Sequence, residues 1–257
     1  MTGQPVLPSI QNFRDFGGFE TASGQRMGRG RLYRSAAQHE ATDEDLAVLA
    51  RLDLGVIVDL RHPSEREFEV CRRWPGFAAD VIENDWEDTF PNWTERLKGQ
   101  APTVELLRKW KRLWYGQMAT APGRIDLFAR CLAALADSDR PILIHCSAGK
   151  DRTGVLVALV QHVAGVGWDD VVTDFLRSNN EAMFRHRAPG VRADLERIAG
   201  TDPDPATVRA AMAVEADYLE IAFEGMTSQY GSVDAYLEQA LALGAAERET
   251  LQARLLG

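Results

Sequence analysis

The sequence predicts a single α/β domain: a short, mostly parallel sheet flanked by helices, with a helix-rich C-terminal part. Three observations carry this. Gly55-Val-Ile-Val-Asp-Leu60 and Pro141-Ile-Leu-Ile144 are short continuous apolar runs, the pattern of strands buried on both faces. Stretches of helical period lie between and after them, the alternation that builds α/β sheets. No linker-like segment, repeat or low-complexity tract divides the 257 residues, so one domain spans 1–257.

The elements follow in order. The Gly- and Arg-rich first forty or so residues read as turns and a hairpin, with a strand over 29–35. Taken alone, Arg14 and Asp15 read as a surface ion pair. Thr42-Asp-Glu-Asp45 opens a capped helix that runs to Leu52. The strand over 55–60 leaves Asp59 and Arg61 at its carboxyl end, where open α/β sheets bind ligands. Asp59 is placed to orient Arg61 or Arg152. Ala78 to Ile82 is a third strand, followed by the acidic segment Glu83-Asn-Asp85-Trp-Glu-Asp88. A helix over 103–118 carries Trp110 and Trp114 at i, i+4, a spacing more typical of core than of a ligand platform. A further amphipathic helix over 123–137 leads to the strand ending near Ile144. Beyond it come helices over 155–163 and from Trp168 to about Met183. The basic cluster Arg185-His186-Arg187 then precedes Pro189-Gly190. The pattern from Val191 to Phe223 is helical with a break over 200–205. Ser232 to Leu243, capped by Gly244, and Ala245 to Leu256 close the chain.

The chemistry concentrates in Ile142-Leu-Ile-His145-Cys146-Ser-Ala-Gly-Lys150-Asp151-Arg152-Thr153-Gly154, a strand, a tight loop and the start of a helix. Free backbone N–H groups and the dipole at a helix N-terminus favour an anion there. Into that site the sequence sets Cys146 and, after five intervening residues, Arg152. An ordinary thiol of pKa about 8.5 is only about 3 % thiolate at neutral pH, whereas sites of this kind reach roughly 3.5–7.5. Arg152 offers a planar fork for two phosphate oxygens. Ser147, Ala148, Gly149, Lys150, Asp151 and Arg152 form the candidate phosphate cradle, and Cys146 the candidate nucleophile for in-line attack on a phosphoryl group. Thr153 is placed to donate its hydroxyl to the sulfur, and His145 to fix the loop through its ring nitrogens. A buried structural cysteine with a solvated arginine is the plainer alternative, and the full His-Cys-x-x-Gly-Lys-Asp-Arg-Thr-Gly string argues against it. A Walker A loop is excluded, because Ile144 stands where its first glycine belongs and Asp151 replaces its Ser/Thr. Rhodanese-type loops carry one residue fewer before the arginine.

Composition bounds the rest. A net charge of −9 argues against nucleic acid and against electrostatic docking to anionic membranes. Cys71, Cys131 and Cys146 form no pairing pattern, which points to a reducing, cytoplasmic compartment. The histidines show no metal-ligand spacing, and no metal or cofactor is implied. Nothing near Met1 resembles a signal peptide, although secretion without one stays open. No apolar run approaches the length that spans a membrane.

The loop resembles that of the cysteine-dependent protein tyrosine phosphatases. It is most similar to an atypical bacterial group acting on phosphotyrosine, in some members on phosphoserine/threonine, and on phosphoinositides. The Lys150 and Asp151 positions also resemble eukaryotic lipid phosphatases. Further matches are Asn12-Phe-Arg-Asp15-Phe-Gly-Gly18, Gly30-Arg-Leu-Tyr-Arg34-Ser35, Asp59-Leu-Arg61, Phe175-Leu-Arg-Ser-Asn179 and Tyr230-Gly-Ser-Val-Asp-Ala-Tyr236-Leu, which together span nearly the whole chain. The resemblance implies a tyrosine-phosphatase-like fold, a phosphoprotein or phosphoinositide substrate, a cysteinyl-phosphate intermediate and a helical cover over the site. Its movable general-acid loop would fall in the acidic segment. Asp151 is the first choice for acid/base work, with Asp85 second and Asp88 beside it. Lys150 and the Arg185–Arg187 cluster are candidate cations at the mouth for additional phosphates. The alternative reading is a module that binds phosphate without turnover; sulfur transfer or arsenate reduction ranks third.

Overall fold

Alternation along the strands decides the layers. The computed structural model describes residues 6–87, 95, 97 and 99–256. Its five-stranded sheet is built from β1 (Arg14–Asp15), β2 (Leu32–Ser35), β3 (Val56–Asp59), β4 (Asp80–Ile82) and β5 (Ile142–His145), in the order β1-β2-β5-β3-β4. Only β1 runs antiparallel, against β2. Val56, Val58, Ile142 and Ile144 point into the large core, while Ile57, Leu143 and Tyr33 face the opposite side with Leu54 and Ala79. Successive strand side chains point to opposite faces, so both sides of the sheet are apolar, as a covered parallel sheet requires.

The register places the site. Ser35 and Asp59 both lie level with His145, the last residue of central β5, so three strands end together at one edge. The Cys146 loop leaves from that edge and enters α5 (Asp151–Ala164) after the strand-flanking helices α1 (Asp43–Arg51), α2 (Pro63–Phe68), α3 (Val104–Met118) and α4 (Pro122–Asp137). Val155 to Val160 are wholly buried in α5, and each such aliphatic side chain contributes roughly 1.5–3 kcal/mol relative to exposure.

The C-terminal part contains α6 (Trp168–Leu176), α7 (Glu181–Ala199), α8 (Pro205–Met212), α9 (Ala216–Tyr230), α10 (Val233–Gln239) and α11 (Ala245–Leu255). Several boundaries differ from expectation. The helix from Trp168 ends at Leu176, because Asn180 caps α7 by accepting from Met183 N at 2.8 Å and Asn179 binds the Val214 backbone. Short amide side chains compete with the helix in this way. Conversely, α7 continues through Pro189 and Gly190, both exposed. Met183, Phe184 and Leu195 on either side share one apolar cluster with Leu107 of α3 and with Val208 and Met212 of α8, which holds the helix across the break. Helix α10 stops at Gln239, and Gly244 precedes α11 rather than capping α10. The short helix α2 has no counterpart in the sequence reading. No helix among the described residues is long and apolar enough to cross a membrane.

Candidate active site

The loop is held from below by charged groups that the sheet edge gathers. Gly149 sits at φ +62, and a Cβ there would lie 2.1 Å from the Ser35 carbonyl oxygen, so the turn admits only glycine. The Gly149 carbonyl accepts from Asn12 Nδ2 at 2.6 Å and Arg34 Nη2 at 2.9 Å. Asp174 of α6 takes Arg34 Nη1 and Arg14 Nε, each at 2.9 Å. Arg14 is therefore no surface ion pair with Asp15. It is 5 % exposed, its carboxylate is Asp174, and Asp15 instead accepts from the Gly17 and Gly30 backbones. Burial drives Arg14 down to about 9, reinforced by Arg34 and opposed by Asp174.

Cys146 lies 2 % exposed at the start of the loop. Burial alone would push its thiol up, but Arg152 and the Thr153 hydroxyl and backbone outweigh it and hold the thiol below its usual value. The Thr153 hydroxyl is buried and has no hydrogen-bond partner among the described residues.

Arg152 is anchored by Glu65 of α2, a residue that the sequence reading missed. Arg152 Nη2 donates to Glu65 Oε1 at 2.7 Å, Nη1 donates to Oε2, and Ser147 Oγ donates to Oε1 at 2.6 Å. Nη1 also reaches the Leu60 carbonyl at 3.2 Å. Among the described residues these contacts leave Nε–H and, beyond a long 3.4 Å contact with Ser147, the second Nη2–H for a ligand. Burial opposes the Glu65 charge, and Arg152 overrides it, holding the carboxyl far below the usual range. Glu65, three residues after the N-cap His62, accepts from the His62 backbone at 2.8 Å, and Pro63 stands at the first helical position; together these are the signal that would have found α2. Asp59 does not touch Arg152. Arg61 forks onto it at 2.9 and 2.6 Å and also donates to Glu69 O and Cys71 Sγ, away from the loop.

His145 is fully buried, with Nδ1 3.4 Å from the Cys146 carbonyl and Nε2 3.7 Å from Asp59. Burial lowers it to about 4 against the pull of Asp59, so it is neutral near pH 7. Asp59, Cys71 and His145 present an oxygen, a sulfur and a nitrogen within 4.8 Å of one another. Arg61 Nη2 donates to both Asp59 and Cys71, so a guanidinium occupies the space that a bridging cation would need.

Cys146, Ser147, Ala148, Lys150, Asp151 and Arg152 line a cavity of about 660 Å³. Its other wall is helical: Leu107, Trp110 and Trp114 of α3, Met183, Arg187 and Val191 of α7, and Met212 of α8. The tryptophans stack at 5.9 Å, half-buried, and face the cavity rather than the core alone. Asp151 accepts from Tyr115 Oη at 2.6 Å and lies 3.4 Å from Lys150 Nζ. Burial favours its neutral form, but Lys150, Lys111 and the Tyr115 hydroxyl hold it ionised. Lys150 is 6 % exposed and donates to the Met212 carbonyl, so it is a buried tie to α8 rather than an open cation at the mouth. Of the basic cluster, Arg187 reaches the cavity, whereas Arg185 is exposed and His186 pairs with Glu40. Asp85 is not brought to Cys146; its side chain is fully exposed beside Arg66. Glu87, not Asp85, is what the acidic segment contributes to the wall. Asp88 lies outside the described residues.

The Cys146 thiol, the Glu65-anchored Arg152 and the loop between them thus share one cavity at the entry to a buried helix. The chain belongs to the tyrosine phosphatase family, whose pattern matches residues 5–257, and it is a phosphatase of the hydrolase class. A protein of Cupriavidus necator with a provisional tyrosine-protein phosphatase name is 32 % identical over 256 residues, covering 94 % of this chain and 85 % of its own. The triple specificity protein phosphatase PtpB of Mycobacterium tuberculosis is 32 % identical over 270 residues, covering 91 % and 92 %. The solved structure of P. aeruginosa TpbA shares 19 % identity over 81 % of this chain and 94 % of that one, with a TM-score of 0.34, too distant to place residues by.

Proposed function

We propose that the protein hydrolyses phosphomonoesters through a cysteinyl-phosphate intermediate, with phosphotyrosine as its best substrate class and slower action on phosphoserine/threonine and phosphoinositides. The observation that carries this is the Cys146 thiol sharing one cavity with an Arg152 whose fork is anchored on Glu65 and keeps two donors for a ligand. In the first step the Cys146 thiolate attacks phosphorus and the ester oxygen departs with a proton from Asp151. In the second, water attacks the cysteinyl phosphate, its proton passes to the Asp151 carboxylate, and the sulfur leaves with the Thr153 hydroxyl as donor. The loop amides and Arg152 hold the equatorial oxygens throughout. An arriving phosphate dianion opposes the Asp151 charge and favours the protonated acid.

The substrate order follows from the leaving group and the wall. An aryl oxide has a conjugate acid of pKa about 10 and leaves with little help, whereas an alkoxide needs full protonation. The stacked Trp110 and Trp114, with Leu107 and Met212, offer an apolar surface that suits an aryl ring. A relative named for triple specificity supports a range wider than one ester. Phosphate release from p-nitrophenyl phosphate, then from matched phosphotyrosine, phosphoserine and phosphoinositide substrates, tests the reading. Acid-quenched enzyme should carry a thiophosphate ester on Cys146. Turnover without that adduct, and insensitive to iodoacetamide, would remove the covalent mechanism.

A further inference from the structure

Behind the loop, on the side of the helical wall, lies a charged cluster that the steps above leave unused. Lys111 of α3 is 5 % exposed and borders the same cavity as Cys146, Lys150 and Asp151. Its Nζ donates to the carbonyls of Ala210 at 2.9 Å and Ala213 at 2.6 Å. These belong to the last turn of α8 and the residue beyond it, where a helix leaves carbonyls unpaired and its dipole is negative. The Val214 N–H goes to Asn179 Oδ1 instead of continuing the ladder. One turn along α3, Tyr115 donates its hydroxyl to Asp151 Oδ1 at 2.6 Å. The same helix thus delivers a cation into the cavity that Asp151 lines and a hydrogen bond onto its carboxyl.

We propose that Lys111 is a positioning residue for Asp151: its ammonium sets how readily that carboxyl gives up a proton, and thereby the alkaline limit of turnover. The geometry makes this a change of charge without a change of shape. An ammonium has one more N–H than an amine, and the carbonyls of Ala210 and Ala213 need only the donors that both forms possess. Losing the proton keeps both hydrogen bonds and removes only the field at Asp151.

The neighbours leave that field as the variable quantity. From the loop, Lys150 repels the Lys111 charge and Asp151 attracts it. From the α8–α9 connection, Glu215 attracts it but is shared with Arg108 at 2.6 Å and Arg112 at 3.9 Å. From α9, the Tyr218 ring lies 5.7 Å below the ammonium, and Asp217 is held by Arg112 at 2.7 Å. Burial raises both Tyr115 and Tyr218 well beyond the working range, so neither titrates there. Burial first, then Lys150, brings Lys111 down to about 7, against Asp151 and Glu215. Asp151, held below the usual carboxylate range, titrates well below Lys111, so the lysine keeps its charge across the alkaline limb that Asp151 sets.

This inference rests on the acid/base role proposed for Asp151, and the experiment separates the two. A general acid must be protonated, so kcat/KM for a phosphotyrosine peptide falls as pH rises past its pKa. Lys111→Gln, which keeps amide donors but no charge, should move that alkaline limb up by roughly one pH unit. Lys111→Arg, which keeps the charge, should leave it near the wild-type position. The shift should vanish in an Asp151→Asn background, where the limb itself is lost. A limb unmoved by Lys111→Gln, or moved equally with Asp151→Asn present, overturns the proposal. If Asp151→Asn retains the wild-type limb, the acid assignment itself fails, and the inference with it. Should the Lys111 variants not fold, the ε-carbon NMR titration of Lys111 in wild type and Asp151→Asn gives the reciprocal measurement. Coupling predicts that Lys111 titrates lower without the Asp151 charge; an unchanged midpoint overturns the proposal.

Discussion

The floor of the cavity and its helical wall are built on different principles. In the floor, carboxylates are answered by arginine forks: Asp174 by Arg14 and Arg34, Asp59 by Arg61, Glu65 by Arg152. Most of these groups are almost fully buried, so the ion pairs fix the loop before any ligand arrives. In the wall, α3, α7 and α8 meet through Leu107, Met183, Leu195 and Met212, and the buried lysines end on helix carbonyls. Forked ion pairs tolerate little displacement, whereas a Met- and Leu-lined surface repacks cheaply. Under the proposed mechanism the chemistry belongs to the floor, and discrimination among esters is expected of the wall.

The floor should fail catastrophically where it carries the reacting atom. Cys146→Ser should lower kcat by at least about 10⁴-fold while inorganic phosphate or vanadate still binds, because the arginine and amides remain. Activity within tenfold of wild type in a clean preparation would place the nucleophile elsewhere. The next largest effect is on stability. Removing one partner of a buried pair costs about 3–5 kcal/mol, so Asp174→Ala should show that loss in urea unfolding. Burial opposes the Asp174 charge, but Arg34 and Arg14 hold its carboxyl below the usual range. Its contribution is then fully present above the ordinary carboxylate pKa and is lost as pH falls below it. Acid unfolding should accordingly be less steep in the variant. A wall substitution of similar size giving the same acid dependence would erase the contrast between the two regions.

Glu65→Gln tests the boundary between them. A hydrogen bond to a charged group is worth about 1.5–3 kcal/mol, which predicts a loss of roughly 10–100-fold in kcat/KM from a misplaced Arg152. Unfolding should change far less, since the Glu65 side chain is 30 % exposed. A loss under threefold would reduce Glu65 to a cap for α2.

Most of the floor was legible because its residues are local in sequence. Cys146 to Arg152 occupy one turn, and the strands that present them are unbroken apolar runs. The partners were not legible where they come from afar. Asp174 stands one residue before the Phe175 string, and nothing local separates it from an exposed helix carboxylate. Its role appears only when α6 packs on α5, where Gly154 leaves room for the Phe175 ring 2.6 Å from its would-be Cβ. Glu65 lies in a stretch between Arg61 and Ala78 to which the sequence reading assigns no element, although Glu65 stands three residues after His62 with Pro63 between them. In the wall the helical period was clear, but Lys111 carries no sign of burial in a sequence. Its partners are backbone carbonyls of α8, which have no side-chain signature. Lys150 reads as an open cation in the sequence for the same reason, since its partner is the Met212 carbonyl.

The smallest effect should be the most diagnostic of the wall. Trp110 and Trp114 lie nearly parallel, with 8° between their ring planes, along the cavity. An aryl phosphate at Cys146 is expected to project its ring toward that surface, which lines the same cavity, whereas a phosphoserine methylene presents little area. Aromatic pairing is worth about 0.5–1.5 kcal/mol beyond burial, so Trp110→Ala should raise KM for a phosphotyrosine peptide roughly 2–10-fold. For a matched phosphoserine peptide KM should hardly move, and kcat should be preserved for both, because the floor is untouched. Steady-state kinetics on the peptide pair reads this directly. Equal KM increases for the two esters would show that the tryptophans only support α3, and the discrimination would have to come from the acid alone.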